Sequence, residues 1–176
     1  MDNNELRKYI RDVHDFPKKG IVFKDITTLL KDPVALKTTG NYLFDVVKDK
    51  DITKVAAIES RGFIFGSILA EKLDAGFIPI RKPGKLPSET LSEKYDLEYG
   101  SNVVEIHKDS VQLGDKILIH DDLLATGGTA KAAANLIENL GGKVLLFSFI
   151  VELTFLHGRD KLKGYDVNSL VSYDSE

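Results

Sequence analysis

Residues 116–129 read KILIHDDLLATGGT: an apolar run, two adjacent carboxylates at Asp121 and Asp122, then a turn of small residues opening a helix. The turn suits an anion. Glycine lets main-chain N–H groups approach a ligand closely, and the unpaired N–H groups at a helix N-terminus favour negative charge. Ala125, Thr126, Gly127, Gly128 and Thr129 therefore form a candidate phosphate cradle, with two hydroxyls as extra donors. The spacing is neither G-x-x-x-x-G-K-[ST] nor G-x-G-x-x-G, so neither a P-loop ATPase nor a dinucleotide enzyme is implied. The two acids would repel a phosphate; their natural partners are sugar hydroxyls, a magnesium-bound water or developing positive charge. A ribose 5-phosphate satisfies both halves. His120, just before the acids, has two readings: part of a metal cluster, or an imidazole packed or solvated at a strand end.

Three other clusters bear chemistry. Glu59-Ser60-Arg61-Gly62-Phe63 follows an apolar run and precedes a helical pattern, which again places N–H groups at the C-terminal edge of a strand. Arg61 suits bidentate binding of phosphate oxygens and suits a structural salt bridge equally well. Arg81-Lys82-Pro83-Gly84-Lys85 puts three cations into five residues. Alone this is a solvated charge run; beside a phosphate cradle it supplies counter-charge for a doubly phosphorylated substrate. It begins residues 81–100, a stretch with two prolines, two glycines and eight charged side chains, too long for an idle connection. A lid or binding loop and a plain hairpin are both compatible, since residues 90–97 and 103–106 can pair as strands. Residues 16–26, FPKKGIVFKDI, set a proline and a glycine around strand-forming residues and predict a loop or small hairpin.

The elements that must position these groups follow from periodicity. Leu6, Tyr9, Ile10 and Val13 fall at i, i+3, i+4, i+7 and predict a short amphipathic helix with Asn3 or Asn4 as cap. Pro33 suits the first turn of a helix over 33–48 that carries Leu36, Leu43, Phe44 and Val47. Downstream, strands at 55–58, 77–80, 116–120 and 144–151 alternate with helices at 62–73 and 129–140, the last stopped by Gly141-Gly142. This rhythm predicts an α/β fold with a parallel sheet covered on both faces. Without repeats or a Pro/Ser-rich linker, one domain over residues 1–176 is expected.

Composition narrows the function classes. The chain has 176 residues, 43% apolar and 29% charged, an ordinary globular balance. It has no cysteine, which excludes disulfides and thiolate metal sites. Lysine and arginine number 24 against 27 acids, a formal charge of −3 without a basic stripe, so nucleic acid is not an expected partner. The most apolar stretch, 144–151, is far short of the roughly 20 residues of a membrane span. Residues 1–10 lack the pattern of a secretory signal, and a cytoplasmic location is expected.

The 116–129 segment resembles the phosphoribosyl diphosphate (PRPP) motif of type I phosphoribosyltransferases, with His120 departing from the apolar residue common before the acids. Residues 59–63 are similar to the pyrophosphate loop of the adenine phosphoribosyltransferases, in which a cis peptide presents main-chain amides; Glu59–Ser60 is the corresponding bond. LSEKYDLEYG, residues 91–100, resembles that family's flexible loop, and residues 16–26 resemble its N-terminal hood, with Lys19 where proline is common. Residues 151–154 and 156–160 resemble its C-terminal end, so the likeness covers nearly the whole chain.

The resemblance implies a type I phosphoribosyltransferase fold: a mostly parallel sheet flanked by helices, a small hood within residues 1–33 and a flexible lid or hairpin over 81–107. It implies the reaction adenine + PRPP = AMP + diphosphate in purine salvage, with Mg2+ bound through PRPP or diphosphate and no metal site of the protein's own. A homodimer is implied too. In the implied site Asp121, Asp122 and Glu98 are catalytic. Ala125 to Thr129 hold the 5-phosphate, and Glu59, Ser60, Arg61, Arg81, Lys82, Lys85 and Tyr99 complete the PRPP site. Adenine is read by main-chain atoms of Val22 and Lys24, stacked on by Phe23 and faced by Leu153. Alternatives are a xanthine or hypoxanthine/guanine phosphoribosyltransferase, or a PRPP-sensing regulator of the same fold without activity.

Overall fold

The computed structural model describes residues 3–96 and 101–175. The chain starts with one helical turn, α1 (Asn3–Leu6), continues as a 3-10 turn (Arg7–Tyr9), and extends into β1 (Arg11–His14). The predicted N-terminal helix therefore ends before Ile10, and Val13 lies in a strand. Helical spacing over one or two turns is weak against pairing, because short helices are marginal without tertiary support. Here β1 pairs antiparallel with β2 (Val22–Asp25), which sets Arg11 opposite Asp25 and Asp12 opposite Lys24. Both opposed pairs form ion pairs, the sheet counterpart of helical charge pairing. The hairpin expected within 16–26 thus supplies only its second strand from that segment, the first coming from residues 11–14.

A short helix α2 (Thr27–Leu30) leads to α3 (Pro33–Val47). Asp32 caps α3 by accepting from the N–H groups of Val34 and Ala35 at 3.0 and 2.8 Å, with Pro33 in the first turn. There follow β3 (Lys54–Ile58), α4 (Gly62–Lys72), β4 (Gly76–Ile80), the antiparallel hairpin β5 (Thr90–Asp96) and β6 (Ser101–His107), β7 (Lys116–Leu124), α5 (Gly128–Asn139), β8 (Lys143–Leu153) and β9 (Asp166–Tyr173). Strands β3, β4, β7, β8 and β9 form one parallel sheet in the order β4-β3-β7-β8-β9. β9 was not anticipated: Val167, Leu170, Val171 and Tyr173 are strand formers, but without a clean alternation. No helix of the described residues is long and apolar enough to cross a membrane.

Each face of the sheet carries its own apolar cluster. Ile58, Ile119, Phe147 and Phe149 pack with the small buried side of α5 (Ala130, Ala133, Ala134, Ile137). Val55, Leu118, Leu146 and Ile150 pack with Leu43 and Val47 of α3 and Phe65 and Leu69 of α4. The chain leaves β3 toward β4 on one side and leaves β7 toward β8 on the other. The order thus reverses between β3 and β7, and such a reversal opens a crevice at the C-terminal strand ends.

β7 runs four residues beyond the predicted end at His120, because the long β8 pairs with it as far as Leu124 opposite Glu152. Asp121 and Asp122 are thus the end of a strand rather than the start of a turn.

Candidate active site

β3 pairs with β7 only as far as Ala57 opposite His120, so the last residues of β7 have an open edge on the β3 side. Both acids stand there. Successive strand side chains diverge, yet Asp121 and Asp122 reach the same cavity because it lies over the strand end. That cavity, ≈ 200 Å³, is also lined by Glu59, Ser60, Arg61, Lys82 and Thr129. Next to it a smaller space of ≈ 70 Å³ is walled by Asp121 and by Ala125, Thr126, Gly127, Gly128 and Thr129. Residues from both predicted phosphate-binding segments, about 60 positions apart, thus meet beside the two aspartates.

Asp122 is 4% exposed and accepts a hydrogen bond from Arg61 Nε. Asp121 Oδ1 accepts from the Asp122 main-chain N–H at 2.8 Å. Burial, and then the neighbouring charge of Asp122, push the Asp121 carboxyl well above the usual carboxylate range. Arg61 balances Asp122, and a second negative charge at Asp121 becomes favourable only as further positive charge arrives. Gly62 permits the close approach of α4 to this corner: a Cβ there would stand 2.9 Å from Asp121 Oδ1 and 3.1 Å from the His120 carbonyl oxygen.

The cradle is rigid for a different reason. Gly127 has φ +75°, a left-handed conformation that ends the turn and starts α5 at Gly128. A Cβ on it would lie 2.3 Å from the carbonyl oxygen of Gly158, so the 125–129 turn is packed directly on the C-terminal segment. That segment is held in turn by Arg159, whose Nε and Nη2 donate to Glu152 at 2.6 and 2.7 Å, with Ser169 Oγ donating to the same carboxylate at 2.7 Å. The Arg159 bonds hold the Glu152 carboxyl below its ordinary range. Sequence reading missed this brace, whose only signal is one Glu and one Arg seven positions apart.

The Glu59–Ser60 peptide is cis, as the resemblance implied. Glu59 accepts from Arg81 Nε at 2.7 Å, and Arg81 also donates from Nη1 to the Lys85 carbonyl at 3.1 Å. Arg81 and Lys85 do not line the 200 Å³ cavity; Lys82 does. Tyr95 and Val104 of the hairpin line it as well and were not anticipated. The period-two alternation of β5, which puts Leu91, Glu93 and Tyr95 on one face, was the available signal. Glu98 and Tyr99 lie outside the described residues.

The hood stands over the same corner. The Arg61 guanidinium lies 5.1 Å from the Phe23 ring centroid, and Phe16 packs edge-on to that ring at 5.3 Å. Arg61 therefore touches both the acids and the hood. Val22 is half-buried, Leu153 is 9% exposed, and Lys24 is buried. His120 is wholly buried, with neither ring nitrogen in a hydrogen bond of normal geometry among the described residues. Burial pushes its imidazole down to about 3, outweighing the opposing effect of the Ser148 main chain on β8. It is a packed neutral histidine. Among the described residues no group of three or more His, Cys, Asp or Glu side chains is placed to hold a metal ion.

A phosphoribosyl transferase domain model matches residues 25–172. The chain belongs to the phosphoribosyltransferase family. Its relatives narrow the branch. An adenine phosphoribosyltransferase of Christiangramia forsetii is 57% identical over 169 residues, covering 96% of this chain and 99% of that protein. The crystal structure of an adenine phosphoribosyltransferase from Thermoanaerobacter pseudethanolicus is 53% identical, with a TM-score of 0.95 over 97% of this chain and 99% of that one. A Saccharomyces cerevisiae adenine phosphoribosyltransferase, solved with adenine and an imino-altritol bisphosphate, is 38% identical with a TM-score of 0.89, covering 96% of this chain and 97% of that one. The fold is the α/β fold of these neighbours.

Proposed function

We propose that this chain transfers the 5-phosphoribosyl group of PRPP to adenine, releasing diphosphate and forming AMP. The observation that carries the reading is the placement of Asp121 and Asp122 between two anion-binding turns, one at each end of the space a doubly phosphorylated ribose would fill. The 5-phosphate docks on the N–H groups and hydroxyls of Ala125 to Thr129. The diphosphate lies against the Ser60–Arg61 turn and Lys82, with Glu59 holding Arg81, and Arg81 the Lys85 main chain, at the border of that site. The aspartates face the ribose. As the bond from C1 to the diphosphate oxygen breaks, the sugar becomes cationic, and two fixed carboxylates in a partly buried corner stabilise that charge. The raised Asp121 carboxyl fits this role, because a cation arriving with the substrate lowers its pKa and lets it ionise, its proton leaving to solvent.

The donor set fits magnesium carried by the substrate: two carboxylates offer fewer oxygens than a hard cation requires from a protein cage. When bound, the ion neutralises charge growing on the diphosphate. Main-chain atoms of Val22 and Lys24 read the adenine edge, with Phe23 and Leu153 on its two faces. Glu98 takes the proton from the imidazole part of adenine as the C1–N9 bond forms, and returns it in the reverse direction. Tyr99 belongs to the same lid. Residues 1–33 serve as hood and 81–107 as lid within one domain, 1–176. Ile64 and Phe77, both exposed, with the Phe77 ring edge-on to Phe63 at 5.7 Å, support a homodimer face. The phosphorylated metabolites it uses fit a cytoplasmic enzyme.

Diphosphate release from PRPP in the presence of adenine, hypoxanthine, guanine or xanthine tests the proposal. Turnover with adenine alone is expected. Preference for another base reassigns the hood, and no turnover with any base overturns the enzyme.

A further inference from the structure

Lys24 has two jobs that need separate explanations. Its main chain belongs to the base-reading segment, whereas its side chain is almost completely buried, at 4% exposure. A buried ammonium must be paired. Alternation along β2 sends Phe23 toward Arg61 and the acids, and sends Lys24 to the opposite face. There Lys24 Nζ lies 2.9 Å from Asp12 Oδ1, its partner across the hairpin, and 4.3 Å from the ring centroid of Tyr173. The same ring takes the Arg7 guanidinium at 4.9 Å, and Arg7 also donates to the Ser172 carbonyl.

Tyr173 is the last residue of β9, and its register partner on β8 is Leu153. One side of this tyrosine is therefore fastened to the residue that faces the base, and the other carries the ammonium of the residue whose main chain reads the base. The hairpin's other ion pair, Arg11 with Asp25, stays inside the hood and cannot set its position on the sheet. A cation over an aromatic face gains strength when desolvated, enough to fix a four-residue strand pair that has little core of its own.

We propose that Tyr173 is a positioning residue for base recognition, its ring seating the Lys24 ammonium so that the hood main chain stays in register with Leu153. The inference rests on the reading that Val22 and Lys24 recognise the base through their main chains. Loss of the ring lets the hood drift without touching the phosphate cradle, so the KM for adenine rises while kcat and the KM for PRPP stay.

Steady-state kinetics on the full chain test this. For Tyr173→Leu the expected result is a rise of about five- to tenfold in the KM for adenine, with kcat and the KM for PRPP within about twofold of the parent. Tyr173→Phe, which keeps the ring, should restore the parent KM. Lys24→Met, which also loses the Asp12 ion pair, should raise the same KM at least as much, and adding Tyr173→Leu to it should raise that KM little further, because the ammonium–ring contact is already gone. Asp12→Asn, on a half-exposed side chain, gives a milder rise and remains available if Tyr173→Leu fails to fold. An unchanged KM for adenine in Tyr173→Leu, or in Asp12→Asn should that variant be the one that folds, overturns the proposal. So do equal rises for adenine and PRPP, or effects of Lys24 and Tyr173 that simply add. If the parent protein uses another purine, the base assignment falls, and the coupling is then read on the KM of that purine.

Discussion

The two ends of the site are held in opposite ways. The phosphate cradle is a contiguous run, 125–129, whose glycine conformation and N–H groups are local properties, and it is packed main chain to main chain on Gly158. The hood is a two-strand hairpin of four residues each, set in place by long side chains reaching across the fold: Arg61 to Phe23, and Lys24 to Tyr173. The first arrangement leaves no room for adjustment. The second tolerates movement, which suits a wall that must admit a planar base. Charge economy differs as well: between the two ends Arg61 pairs with Asp122 while burial raises the Asp121 carboxyl beside them, whereas in the hood Lys24 is matched by Asp12 and Arg11 by Asp25.

The sharpest way to break the comparison is at the acids shared by both ends. Asp121→Asn with Asp122→Asn should lower kcat by about two powers of ten or more while PRPP still binds, measured by single-turnover kinetics and equilibrium binding. Unchanged turnover would remove the charge role. Next in size, Glu98→Ala should cut kcat by about 10²-fold and leave PRPP affinity within about twofold. Weakened binding without a loss of kcat would argue against proton transfer there.

Gly127→Ala tests the rigid end. A methyl group at φ +75°, aimed at a carbonyl 2.3 Å away, must displace the turn. The KM for PRPP should rise about tenfold or more, with the KM for adenine moving much less. Equal changes in both would mean that the ends are not independent.

The smallest expected effect is a gain. The Asp121 carboxyl has a higher pKa in the folded chain than in the unfolded one, so between those two values the folded state binds more protons and stability falls as pH rises. Asp121→Asn removes that cost. Its melting temperature should exceed the parent's by about 2–4 °C at pH 7–8, for a relief of about 1 kcal/mol. The gain should vanish below about pH 4, where the aspartate is protonated in both states. A lower melting temperature at pH 8 would show that the carboxylate is stabilising where it stands.

Legibility in the sequence follows the same division. The alternation of strands and helices from residue 54 to 153 was readable, as were the proline and aspartate that start α3 and the glycines after α5, because propensity, capping and turn chemistry act over a few neighbours. The acids and the cradle were readable for that reason. Val13 shows where this stops: its helical spacing with Leu6 is real, but pairing with Phe23 prevails. β7 likewise continues past His120 because β8 runs beside it, which nothing within residues 116–124 announces.

The order of residue types alone determined the two candidate anion-binding turns, the paired acids and the α/β rhythm, since these depend on contiguous backbone geometry and apolar periodicity. Only the tertiary structure decided that Arg61 would join Asp122 to the hood, that Glu59 would hold Arg81, and that Tyr173 would lie between Leu153 and Lys24. Those contacts join residues from 20 to 149 positions apart, and their partners are chosen by strand register and packing, quantities that no local stretch of chain contains.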